Sequence, residues 1–172
     1  MPNIILVGFM GTGKTSVGRR LSRCLEMPYL DTDEIIEQSA GRRITDIFAQ
    51  HGESYFRELE SEAVQKISGL DKHVISTGGG IVLRAGNLEI LKRNGLVFCL
   101  TATSEEIWAR VKNETHRPLL KAPEPVEKIR KMLEAREAYY ALADYTIETD
   151  GLPIEQVTDE VIEVFQNAIN SR

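Results

Sequence analysis

Cysteine is scarce in this chain: two in 172 residues, Cys24 and Cys99, far apart and without CxxC spacing. A disulfide scaffold is therefore not expected, and both thiols read as reduced, buried, small apolar side chains of a cytoplasmic protein. Excess positive charge is lacking too. The net charge is -5 and the pI about 5.3, which excludes a broad nucleic-acid or anionic-membrane surface while leaving room for one local basic pocket. No apolar run approaches the roughly 20 residues of a membrane span. The opening MPNIILVG has no basic leader and no long apolar core, so no signal peptide is expected. Repeats, low-complexity tracts and linker-like segments are missing, and the length suits one domain over residues 1–172.

What is present is an alternation of short apolar strands and amphipathic helices. Asn3–Gly8 (NIILVG) is continuous and β-branched, as in a strand buried on both faces. Lys14–Glu26 turns helical, with Val17, Leu21 and Leu25 at i, i+4 and i+8, and Pro28 stops it. Tyr29–Leu30 is a short second strand, and Asp31–Ala40 a helix ended by Gly41. Ile44–His51 and Glu53–Ser68 read as helices punctuated by Gly52 and Gly69. His73–Thr77, Leu96–Leu100 and Asp144–Glu148 are further strands; Ser104–Lys112, Val126–Leu142 and Ile154–Ile169 are further helices. This order predicts a parallel sheet covered on both faces, with ligands beyond the carboxyl ends of its strands.

The first of those ends carries the most specific spelling. GFMGTGKTS, residues 8–16, fits G-x-x-x-x-G-K-[ST] between a strand and a helix. Backbone N–H groups from Gly11, Thr12 and Gly13 to Lys14, Thr15 and Ser16 can wrap phosphate oxygens, aided by the positive end of the helix. Lys14 would reach the β- and γ-phosphates, and the Thr15 hydroxyl would bind Mg²⁺. The motif predicts nucleotide binding. By itself it does not separate a kinase from a GTPase, an ATPase or a switch, although no Asn-Lys-x-Asp element of GTPases occurs.

Other segments admit two readings each. In DTD, Asp31 can cap a helix while Asp33 favours its positive end. Alternatively, one carboxylate orders water around Mg²⁺ and the other accepts a proton from a substrate hydroxyl. Arg57 can pair with Glu53 and Glu60 on an exposed helix face, and Arg136 has the same option beside Glu137. Gly78, Gly79 and Gly80 can be a loose turn or a place where a small ligand touches backbone. HRPLLKAPEP, residues 116–125, can be a surface loop or a lid that excludes water and delivers Arg117 to the phosphates.

Taken together, GFMGTGKT, DTD, FRELE, STGGG, RPLL and REAYY, in that order along nearly the whole chain, resemble shikimate kinase, a P-loop family related in fold to the nucleoside monophosphate kinases. The resemblance implies a three-layer α/β/α fold with five parallel strands in the order 2-3-1-4-5. It implies transfer of the γ-phosphoryl group of ATP, with Mg²⁺, to the 3-hydroxyl of shikimate. It gives Gly11 to Ser16 the nucleotide, Thr15 and Asp31 the metal, and Asp33 the shikimate hydroxyls and the role of base. Arg57 and Arg136 grip the substrate carboxylate, Gly79 within Gly78–Gly80 offers its backbone, and Arg117 reaches ATP from a lid around 113–125. The substrate-binding helical region falls around 33–61, and a monomer is expected. Two departures stand out: 149–156 (TDGLPIEQ) has no arginine for an adenine contact, leaving backbone contacts there, and no full Walker B carboxylate follows VISTGGG. The competing readings are a gluconate or nucleoside monophosphate kinase, and an inactive nucleotide-binding regulator.

Overall fold

The structure is a computed structural model that describes residues 1–114 and 123–171. Its centre is β1 (Asn3–Val7), whose five residues are all buried. With β2 (Tyr29–Asp31), β3 (Val74–Ser76), β4 (Gly95–Thr101) and β5 (Tyr145–Glu148) it forms a five-stranded parallel sheet in the order β2-β3-β1-β4-β5. The expected strand order is observed.

Side-chain alternation along β1 divides the core in two. Ile4 and Leu6 point to the face covered by α1 (Lys14–Leu25) and α7 (Ile154–Asn170), where they meet Val17, Leu21, Val161 and Phe165. Ile5 and Val7 point to the opposite face. That face is covered by α3 (Ile44–Ile67), α4 (Ala85–Asn94), α5 (Ser104–Val111) and α6 (Pro125–Tyr140). A smaller cluster of Ile36, Ile47, Phe56 and Ala63 joins α2 (Thr32–Ala40) to α3. Each fully buried Leu, Ile or Phe contributes about 1.5–3 kcal/mol, so both faces are needed to hold the strand ends in place.

Four local features differ from the sequence expectations. Asp31 closes β2, and α2 starts at Thr32. The two helices expected over 44–68 run as one element bent at Gly52, whose φ of 78° and ψ of -177° are non-helical, so the punctuation is a kink without a gap. A 3₁₀ turn (Ile81–Leu83) and α4, with Leu88 and Leu91 buried, fill the stretch after the glycine triplet. Finally, Cys99 is buried but Cys24 is exposed. The buried stripe of α1 runs through Lys14, Val17, Gly18 and Leu21 and stops there; Cys24 lies one turn further on, before Glu26 adopts the left-handed conformation that turns the chain toward β2.

Candidate active site

The carboxyl ends of β1, β2 and β3 converge on a cavity of about 220 Å³. Lys14, Thr15, Asp31, Asp33, Ser76 and Gly78 all face it. The loop from β1 opens with Gly8 at φ 138°, where a Cβ would sit 2.3 Å from the Leu100 carbonyl oxygen. Only glycine fits that bend. Lys14 is buried, and its Nζ donates to the carbonyl oxygens of Gly8 (2.7 Å) and Phe9 (2.9 Å). The Thr12 hydroxyl donates to the Phe9 carbonyl at 2.8 Å. Thr15 and Ser16 stand exposed in the first turn of α1.

The geometry shows the capping reading of DTD, and it places both carboxylates on the phosphate cavity. Asp31 caps α2: its Oδ1 accepts from the Asp33 N–H at 2.9 Å. Its Oδ2 accepts from the Tyr29 hydroxyl at 3.1 Å. The fully buried Thr32 accepts from the Gly78 N–H at 3.1 Å, tying the glycine triplet to the start of α2. Asp33 then points into the cavity. Burial, followed by the charges of Asp31 and Glu60, pushes its pKa up to about 6, with Lys14 opposing. Its Oδ1 is buried without a hydrogen-bond partner among the described residues.

A second cavity of about 340 Å³ shares Met10, Asp33, Gly78 and Gly79 with the first, so the two adjoin with Asp33 in the wall of both. Arg57 and Arg136 both line it. Arg57 pairs with Glu53 (3.0 Å) and Glu60 (2.6 Å), as the plain reading of its helix expects. It is nonetheless not an exposed surface pair, since its side chain is only 14% exposed and Glu60 1%. A Cβ on Gly80 would lie 2.0 Å from Arg57 Nη1, so the missing side chain at 80 is what lets the guanidinium lie against the triplet. Arg136 donates to the Gly79 carbonyl at 3.3 Å and lies over the Phe9 ring, 5.3 Å from its centroid. Tyr140 donates to the same carbonyl at 2.8 Å.

A third cavity of about 330 Å³ lies on the other side of the phosphate loop and reaches Thr149, Leu152 and Ile154. No arginine was expected near 149–156. Arg110 reaches it from α5, donating to the Gly11 carbonyl (3.2 Å) and to the Thr149 hydroxyl (3.0 Å) and carbonyl (2.8 Å), while Glu106 holds its Nε at 2.9 Å. The sequence signal was the Glu106–Arg110 i, i+4 pair on the helix after β4. Glu60, the helical partner of Arg57, also lines the second cavity; burial raises its pKa, with Arg57 opposing. Arg117 and most of the proposed lid fall within 115–122, outside the described residues.

A phosphate loop at a strand end, a buried carboxylate beside it and two guanidinium groups across a shared cavity define a P-loop enzyme of phosphoryl transfer. The family comparisons narrow that class. The shikimate kinase family model matches residues 10–166. A shikimate kinase of Thermodesulfovibrio yellowstonii is 43% identical over 172 residues, covering 100% of this chain and 99% of the relative. One of Caldanaerobacter subterraneus subsp. tengcongensis is 46% identical over 165 residues, covering 96% of each. The structure of the Acinetobacter baumannii shikimate kinase in complex with shikimate aligns with a TM-score of 0.89 at 36% identity, covering 100% of this chain and 95% of that one. The chain belongs to the shikimate kinase family.

Proposed function

We propose that this chain transfers the γ-phosphoryl group of ATP to the 3-hydroxyl of shikimate, giving shikimate 3-phosphate and ADP. The observation that carries the reading is that Asp33 lines two adjoining cavities, one lined by the phosphate loop and the other by Arg57 and Arg136. A planar guanidinium takes a carboxylate bidentately, so the two arginines suit the acid group of the acceptor and leave its hydroxyls toward Asp33. Asp33, with a pKa near 6, is largely ionised at neutral pH. It takes the hydroxyl proton as the oxygen bonds to the γ-phosphorus and the bond to the β-phosphate oxygen breaks, releasing ADP.

Among the described residues no group of three His, Cys, Asp or Glu side chains is placed to hold a metal. Mg²⁺ does not need one, since it is commonly held by one or two protein oxygens together with phosphates and water. The hydroxyl of Thr15 and the carboxylate of Asp31 line the phosphate cavity and supply hard oxygen donors of that kind. When bound, the ion neutralises charge on the β- and γ-phosphates. Lys14 releases its loop carbonyls to reach the same oxygens, and Arg117 adds charge from the lid. The third cavity, with Arg110, Leu152 and Ile154 on its walls, suits the base of the nucleotide.

We assign 33–61 to substrate binding and 113–125 to the lid of a single domain, acting as a cytoplasmic monomer without nucleic-acid or membrane partners. None of the described helices is long and apolar enough to cross a membrane. ADP release measured with shikimate, gluconate and AMP tests the reaction. Release with shikimate alone is expected. Equal release with gluconate or AMP supports the other kinases, and ATP binding without release under any acceptor supports the inactive regulator.

A further inference from the structure

The ring of Tyr29 packs against the core, while its hydroxyl reaches Asp31, a residue that lines the phosphate cavity. Strand periodicity puts Tyr29 and Asp31 on the same face of β2, and in the parallel register Asp31 lies opposite Ser76 of β3. The ring is held from two sides. On α1, a Cβ at Gly18 would lie 2.7 Å from Tyr29 Cε2. Glycine in a helix interior costs up to about 1 kcal/mol relative to alanine, and here its missing side chain is the notch that seats the ring. Arg19, the next residue, places its guanidinium 5.8 Å from the ring centroid. A ring clamped in this way leaves its hydroxyl one direction. It points at Asp31 Oδ2, 3.1 Å away, and faces the hydroxyls of Thr15 and Ser76.

We propose that Tyr29 is a positioning residue for the metal site, its hydroxyl fixing the Asp31 carboxylate in the orientation that receives Mg²⁺ on the nucleotide phosphates. The proposal rests on the assignment of Asp31 to that ion. Two protein hydrogen bonds pin the carboxylate, one to each oxygen: the Asp33 N–H on Oδ1 and the Tyr29 hydroxyl on Oδ2. Each oxygen keeps a lone pair for a ligand or its water. The backbone bond forms in any helix with an aspartate cap. The tyrosine bond is particular to a chain with a hydroxyl at position 29, and it prevents rotation of the carboxylate about its last torsion. Groups that orient a metal-binding side chain in this way typically contribute 10–100-fold to metal affinity.

Tyr29→Phe keeps the ring, the notch at Gly18 and the stacking of Arg19 while removing only the hydroxyl. The experiment measures Mn²⁺ binding to the full chain saturated with ADP, by electron paramagnetic resonance, in the parent, Tyr29→Phe and Asp31→Asn. ADP affinity in EDTA is measured alongside. The expected result is an Mn²⁺ Kd raised about ten- to a hundredfold in Tyr29→Phe, with unchanged ADP affinity in EDTA. A purely structural tyrosine would move neither value, or both together. Tyr29→Phe binding Mn²⁺ as tightly as the parent overturns the proposal, and Asp31→Asn then reports separately on the metal reading. Mn²⁺ bound no more tightly by the parent complex than by ADP alone overturns the metal reading and this proposal with it.

Discussion

Asp33 carries an electrostatic conflict. Its carboxyl is held at about 6 against an ordinary value of 3.8, by burial first and then by Asp31 and Glu60. Ionisation is therefore penalised in the folded chain relative to the unfolded one. The penalty is absent below about pH 4, grows between pH 4 and 6, and is complete above pH 6, where it amounts to at most about 3 kcal/mol. Asp33→Asn removes it. The variant is expected to melt at a higher temperature than the parent at pH 7, with the gap closing as the pH falls toward 4. Its turnover should drop by about 10²–10⁴ while ATP still binds. In the parent, kcat should fall below pH 6 as the base becomes protonated, and a profile flat from pH 5 to 8 would remove Asp33 from that role. Arg57 is the second residue on which the proposed function depends. Lysine at 57 keeps the charge but loses the fork that meets Glu53, Glu60 and a ligand carboxylate together. Arg57→Lys should raise the shikimate KM about tenfold or more with a smaller effect on the KM for ATP.

At the level of elements, the kink in α3 matters most. Gly52 has a φ and ψ that only glycine adopts without strain of order 1–3 kcal/mol, and a Cβ there would meet nothing within 4 Å. The barrier to substitution is thus conformational, with no steric part. Gly52→Ala should lower stability by about 1–3 kcal/mol in urea unfolding. By tending to straighten the helix it should also draw Ile44 and Phe48 from the wall of the acceptor cavity and raise the shikimate KM. Gly52 could be read in the sequence as punctuation because glycine interrupts an otherwise periodic pattern. The continuous kinked helix could not, since a break and a bend share one signal. The strands were legible because β1, β3 and β4 are buried on both faces and so spell uninterrupted apolar runs. α4 gave less: of its described apolar residues only Leu88 and Leu91 are buried, too few to set a period. Within the site, residues tied to a motif, such as Lys14 and Asp33, could be placed from local spelling. Arg110 could not, because its contacts with Gly11 and Thr149 span 99 and 39 positions and depend on how α5 returns over the sheet.

For the molecule as a whole, the two thiols are opposed probes. Cys24 is exposed at the end of α1, whereas Cys99 lies in β4 at 1% exposure, its pKa pushed up to about 11 by burial. A disulfide reagent should consume one thiol in the native protein and two in denaturant. Labelling of Cys99 should track global unfolding, because β4 pairs with both β1 and β5. Two thiols reacting at equal rates in native buffer would show that β4 opens without global unfolding. The expectation that both cysteines are buried failed because an amphipathic period says which stripe of a helix faces inward, and nothing about where the sheet beneath it stops.

The pairing of β1 has a further consequence for how the protein is made. This strand precedes both of its neighbours in the chain, so Ile4 waits for Val74 on one side and Leu96 on the other. The nascent chain must carry its most apolar segment unpaired until about residue 100 has been synthesised. The bend at Gly8 is seated against the Leu100 carbonyl, so the phosphate loop at the end of that strand reaches its final shape only once β4 has been made.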